Sequence, residues 1–183
     1  MPSPIAHGST VVFAPQVLGA DVPRDLRGVL VWGLLLFASV APDFDIPINW
    51  IIDEGRGMRL HGSYSHSLLL APIFGMFFMF AMRLVWPEAK GGRVWALGTG
   101  FYAVHIVMDL LTMGARGPSL FWPVHPERIA SPIGIFVGVE HSEYWRWDRH
   151  ALTIVTEALF ALALYGIARY TRLLKRGVRA DAS

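Results

Sequence analysis

The residues able to do chemistry lie in short clusters far apart in the chain. Asp43 and Asp45 stand one residue apart in Pro42-Asp43-Phe44-Asp45. His61 and His66 bracket His61-Gly62-Ser63-Tyr64-Ser65-His66, His105 and Asp109 are four residues apart, and His7 lies near the N-terminus. An i, i+4 pair projects from one face of a helix, as two ligands of one ion must. Two carboxylates with one residue between them can supply two ligands, or one ligand and one group that fixes the tautomer of a ligating imidazole. The sequence contains no cysteine, which excludes thiolate ligands, disulfides and cysteine nucleophiles. A set of His and Asp ligands suits zinc, manganese or another borderline divalent ion. Such an ion lowers the pKa of a water towards about 7, so no nucleophilic side chain is needed.

Each cluster also has a plain structural reading. A His-x-x-x-Asp pair can be a buried hydrogen bond, Pro42-Asp43-Phe44-Asp45 can end a helix, and His61 and His66 can be interfacial loop residues. His7 by itself reads more readily as structural. Inside a membrane helix, however, an ionisable group costs at least ~2.5 kcal/mol and is usually retained for function, which favours a role for His105 and Asp109.

The elements that must position these residues follow from composition. Of 183 residues, 54% are hydrophobic and only 16% charged, with a mean hydropathy of +0.43. A soluble domain carries about 25% charged residues. The apolar residues fall in long blocks, so the expected fold is all-α: a polytopic membrane helix bundle of four to five spanning or embedded helices, in a single domain covering residues 1–183. The four blocks are residues 28–41, stopped by Pro42; 67–86, with Ser65 as a plausible cap and Pro87 beyond; 94–113; and 151–168. Residues 5–20, which contain Pro15, suggest a short embedded helix. Met1-Pro2-Ser3-Pro4 has no basic region, so a cleaved signal peptide is not expected.

Lys and Arg set the orientation. Arg24, Arg27, Arg83, Lys90, Arg93, Arg169, Arg172, Lys175, Arg176 and Arg179 fall on one side; Arg56, Arg59, Arg116, Arg128, Arg146 and Arg149 fall on the other. Ten against six makes the first side cytoplasmic. Residues 43–65 and 115–150 then face the periplasm or exterior, with Trp50, Trp122, Trp145 and Trp147 near that interface. Alternation of spans alone brings His7, Asp43, Asp45, His61, His66, His105 and Asp109 to one depth on that side. The net charge is only +2 and the basic residues are scattered, so no nucleic-acid partner is expected.

Glu157 is an acid inside the last span, expected as a further ligand or as the partner of an arginine such as Arg116 or Arg128. Glu140, His141 and His125 read as surface residues of the long outer loop, and Ser65 and Ser67 as helix caps rather than nucleophiles.

The order of Ser3-Pro4-Ile5-Ala6-His7, Pro42-Asp43-Phe44-Asp45, His61-Gly62-Ser63-Tyr64-Ser65-His66-Ser67, His105-Ile106-Val107-Met108-Asp109 and Leu120-Phe121-Trp122-Pro123 resembles that of YdjM-type proteins, covering the chain up to about Arg128. These are described as metal-dependent hydrolases of the bacterial inner membrane, some of them LexA-regulated. That family is distantly similar to zinc-dependent phospholipase C and the P1-type nucleases, helical enzymes with clustered zinc ions. The resemblance implies phosphoester hydrolysis with one to three divalent ions. It also implies ligand roles for His7, Asp43, His61, His66, His105 and Asp109, with Asp45 a ligand or general base and Asp43 beside it as the second candidate catalytic carboxylate. The zinc phospholipases also carry a His-x-x-x-Glu element that this chain lacks, and Glu157 is the intramembrane Glu that would replace it.

The expected substrate is a lipid or lipid-linked phosphate, because a site level with the headgroups meets lipids at high local concentration. Two rival readings are a metal-binding or ion-transport protein and a membrane protease. The absent His-Glu-x-x-His weighs against the protease.

Overall fold

Proline placement decides where the helices of this chain break and where they continue. The computed structural model describes residues 2–52, 61–138 and 147–180. Among them are seven α-helices and four 3₁₀ turns, with no strand beyond isolated bridges.

The N-terminal stretch forms α1 (Pro4–Ser9), a 3₁₀ turn (Thr10–Phe13) and α2 (Ala14–Leu18). Pro4 and Pro15 each occupy a first turn, where the missing N–H costs nothing. Helix α3 (Leu26–Val40) is capped by Asp25, whose carboxylate accepts from the Gly28 N–H. As expected, α3 stops just before Pro42; the proline then opens a 3₁₀ turn (Ala41–Phe44) for the same first-turn reason, and the chain continues as α4 (Asp45–Ile52). The continuous path Leu26–Ile52 has 27 residues, roughly 40 Å of helix against about 30 Å of hydrocarbon, so α4 reaches the interface.

Helix α5 (Ala71–Val85) follows a 3₁₀ turn at Leu68–Leu70, and α6 (Gly91–Leu110) follows a short turn containing Pro87. Helix α7 (Trp147–Ala180) extends well past the apolar block at residues 151–168, since nothing in its continuation breaks a helix. Among the described residues, three segments are long and apolar enough to cross a bilayer: Leu26–Ile52, Leu68–Val85 and Trp147–Leu174. Helix α6 has 20 residues, long enough to cross, but carries Gly, Thr, His and Asp. Its lower apolarity reflects its place, because α6 packs against α5, α3 and the N-terminal helices rather than mainly against lipid.

The helix ends sort into two layers. At one, Leu18, Arg93 and Arg27 gather: the Arg93 guanidinium donates to the Leu18 carbonyl at 2.8 Å, and Arg27 lies 4.0 Å from Glu88. The adjoining core is apolar, built on Val31, Leu35, Phe78, Met82, Val94 and Leu97. At the other end stand His7, Asp43, His66 and Asp109. There residues 111–138 fold over the bundle. Ser119 N–H donates to Gly62 and Leu68 N–H donates to Leu120, both at 2.9 Å, tying this cap to the loop that carries the histidines.

Candidate metal centre

Each cluster reaches the site on a different element. Asp43 lies in the 3₁₀ turn after α3, Asp45 begins α4, His61 and His66 precede α5, His105 and Asp109 occupy the last turns of α6, and His7 sits in α1. From the 3₁₀ turn Asp43 faces His66 and His105, and Asp45, at the start of α4, faces His61.

Asp43, His66, His105 and Asp109 each offer a ligand atom, all within 4.8 Å of one another. His66 Nε2 is 3.0 Å from Asp109 Oδ2 and 3.5 Å from Asp43 Oδ1. His105 Nε2 is 3.3 Å from Asp43 Oδ1 and 3.5 Å from Asp109 Oδ2. His7 stacks on His105 with ring centres 3.7 Å apart, and its Nε2 lies 3.5 Å from Asp109 Oδ1.

The donor set fits a divalent cation. Among the described residues, the buried side-chain atoms without a hydrogen-bond partner include His7 Nδ1 and Nε2, Asp43 Oδ1 and Oδ2, His66 Nε2, His105 Nε2 and Asp109 Oδ1. Only Gln16 Oε1 and Thr99 Oγ1 complete that set, so the orphaned atoms concentrate in one place. Leaving a buried polar atom unpaired costs about 1–3 kcal/mol. A cation between them would satisfy several at once and balance the two carboxylates.

Neighbouring groups fix the tautomers as ligation requires. His105 Nδ1 lies 2.9 Å from the Ser39 carbonyl, so it carries the proton and leaves Nε2 with a lone pair. His66 Nδ1 faces Ser65 Oγ at 2.9 Å and Asp45 Oδ2 at 3.4 Å, which again turns Nε2 towards Asp43 and Asp109. Burial alone would lower the His66 pKa, but the carboxylates of Asp109, Asp43 and Asp45 hold it well above the ordinary imidazole value.

Asp45, His61 and His66 form a second group with ligand atoms close enough for an ion. Here the carboxylate is already engaged. Asp45 Oδ1 is 2.7 Å from His61 Nδ1, while Oδ2 accepts from the Ser65 hydroxyl and from the Gly62 N–H at 3.3 Å. Gly62 adopts φ +76°, a left-handed conformation that suits glycine, and this aims its N–H at Asp45. Arg128 donates to the His61 carbonyl. Burial lowers the Arg128 pKa, the Arg116 charge adds to that, and Asp45 opposes it.

Two sequence expectations change. Among the described residues, Glu157 joins neither ligand group nor an arginine. Its carboxylate accepts from the Ser3 backbone N–H at 2.7 Å and from the Ser3 hydroxyl, because α1 runs alongside α7. Ser65 is not a cap: Ser67 accepts from Leu69 N–H at the following turn, whereas the Ser65 hydroxyl serves Asp45 and His66. Sequence reasoning also missed Ser39, which acts through its backbone, and Tyr102, whose hydroxyl donates to the Ser65 carbonyl. A carbonyl role leaves no residue-type signal, whereas the position of Ser65 between the two histidines was a usable one. His125 is exposed as expected. Trp145, Glu140, His141, Arg56, Arg59 and Arg146 lie outside the described residues.

The sequence profile of the YdjM inner membrane protein family matches residues 3–174. The chain belongs to that family. The YdjM match takes in every ligand candidate, from His7 to Asp109, and also Glu157. A similar relative is inner membrane protein YbcI of Escherichia coli (strain K12), 28% identical over 135 residues, which are 72% of this chain and 73% of YbcI. No solved structure matches the chain. With three bilayer-compatible helices, this YdjM-family chain is an inner membrane protein with a possible metal site at one end of its bundle.

Proposed function

We propose that this protein is a membrane-embedded, divalent-metal-dependent hydrolase that cleaves a phosphoester bond of a lipid or lipid-linked substrate. The observation that carries the reading is the convergence of orphaned, buried His and Asp atoms from separate elements at the membrane-edge end of the bundle. Zinc suits these N and O donors, and manganese is the next choice. Asp43, His66, His105 and Asp109 would hold the principal ion, with His7 beside them. The prior engagement of Asp45 favours one ion over two or three.

When bound, the ion would polarise a phosphoryl oxygen and acidify a water. The chain's own groups supply the rest. Asp45 fixes His61 through Nδ1, and the His61 side chain is 14% exposed against 0% for Asp45. His61 is therefore the group placed to pass a proton to the leaving oxygen, and Asp45 orients it. The resemblance implies that Asp45 is a ligand or general base; because both of its oxygens are hydrogen-bonded, we assign it the supporting part. Arg128, with Arg116 nearby, adds positive charge on the side where a phosphate would sit.

The lipid assignment rests on the rim. Phe44, Ile48, Trp50, Ile51 and Ile52 surround the acid-bearing turn and are all about half exposed or more. These side chains at the interface favour a substrate whose apolar tail stays in the bilayer. The outward-facing site, on the periplasmic side, follows from the distribution of Lys and Arg. An ion-transport role would need polar groups continuing to the far end of the bundle, where the core is Val31, Leu35, Phe78, Met82 and Val94.

The test is metal analysis of purified protein, with assays on a panel of phospholipids and soluble phosphate esters. The wild-type protein is expected to hold a stoichiometric ion and to hydrolyse a lipid substrate. His105→Ala and Asp109→Ala are expected to lose both. Metal retained in both variants would overturn the reading.

A further inference from the structure

Helix α7 contributes no ligand candidate, yet it buries one acid completely. Glu157 is 1% exposed in a helix whose outward face carries Leu152, Val155, Leu159 and Leu162. Such a carboxylate is costly in a membrane segment unless hydrogen-bonded. Its two oxygens take both donors of Ser3, the backbone N–H at 2.7 Å and the hydroxyl. Ser3 is the N-cap of α1: its Oγ accepts from Ile5 N–H at 3.2 Å, and its carbonyl accepts from Ala6 N–H at 3.1 Å and His7 N–H at 3.4 Å. A single residue therefore joins Glu157 to the backbone of His7.

Helix α1 has only six residues, too short to be stable in isolation, so its position depends on what anchors its ends. Beyond the Glu157 clamp, Ala6 packs with Met108 and Phe136, and Phe136 meets Phe160 of α7 edge-on at 5.1 Å. We propose that Glu157 is a positioning residue: by holding Ser3 it fixes α1 and so keeps His7 over His105 and within reach of Asp109. The inference rests on the metal-centre reading for its consequence. The placement of His7 stands independently of any ion.

Two measurements test it. In metal-free protein, His7 is 1% exposed and is expected to resist carbethoxylation by diethylpyrocarbonate, read by mass spectrometry. Glu157→Ala is expected to make it reactive, while Glu157→Gln, which can still accept from the Ser3 N–H and donate to its hydroxyl, is expected to keep it protected. Continued protection of His7 in E157A overturns the proposal. The second measurement titrates wild type, E157A, H7A and the double variant with Co²⁺, following the visible d–d spectrum. E157A is expected to weaken Co²⁺ binding about 10–100-fold, H7A similarly, and the double variant no further than H7A. Additive losses would mean that Glu157 acts on the ion by another route, and would also overturn the proposal. A wild-type protein that takes up no Co²⁺ would count against the metal centre, with the His7 protection result still deciding the role of Glu157.

Discussion

The imidazoles of this site are distinguished by what holds the nitrogen away from the cluster. His105 has the Ser39 carbonyl, and His66 has Ser65 and Asp45. Removing such a support typically costs about 10–100-fold in metal affinity. Asp45→Asn is therefore expected to weaken metal binding by about that factor without abolishing it, whereas Asp109→Ala should abolish it; competition titration against a chelating dye separates the two. The raised pKa of His66 gives a pH dependence of definite sign. The neighbouring carboxylates favour the protonated imidazole in the metal-free protein, and an ion must displace that proton, so metal affinity is expected to rise with pH in the same titration. A flat profile would mean that His66 is not a ligand. The types and spacing of His105 and Asp109 were enough to nominate them, but the support from Ser39 was not readable, because it comes from a backbone carbonyl 66 residues away.

At the scale of elements, α5 and α6 approach closely at Gly75. A Cβ at Gly75 would lie 2.1 Å from Thr99 Oγ1 and 2.8 Å from the Trp95 carbonyl. In lipid, where apolar burial does not drive association, small residues allow the close packing that holds helices together. Gly75→Ala is expected to cost ~1–3 kcal/mol and lower the thermal midpoint in detergent. Gly100→Ala, with nothing within 4 Å of the added atom, should leave the midpoint unchanged or raise it slightly. Equal midpoints for the two variants would remove this account of the contact. The four apolar blocks all correspond to helices, and Pro87 falls at the break after α5 as read from sequence. Helix α3 stops at Val40, just before Pro42, as read; that the chain then passes through a 3₁₀ turn into α4 was not legible, because a proline in a first turn is compatible with ending or continuing a helical path.

For the whole molecule, the charged residues predict which end faces which compartment. A reporter joined after Ser183 is expected to be active in the cytoplasm and silent outside it; periplasmic activity would reverse the orientation and put the site on the inner face. Sequence alone determined that the chain lives in a bilayer, that it is helical, and that acids and imidazoles from distant segments share one end. Hydropathy and alternation of direction at each crossing are enough for those conclusions, because a spanning helix has little freedom except to cross and return. Only the tertiary structure decided which groups meet. Glu157 lies at the same end as the cluster, yet it turns to Ser3 and stays out of the ligand set, while His7 joins it. Both outcomes depend on the rotation of α7 and the tilt of α1, which are set by packing with neighbours and leave no periodic trace in either segment. Depth in the membrane is a one-dimensional property that composition records; direction around a helix axis is not, and the chemistry of this site depends on it.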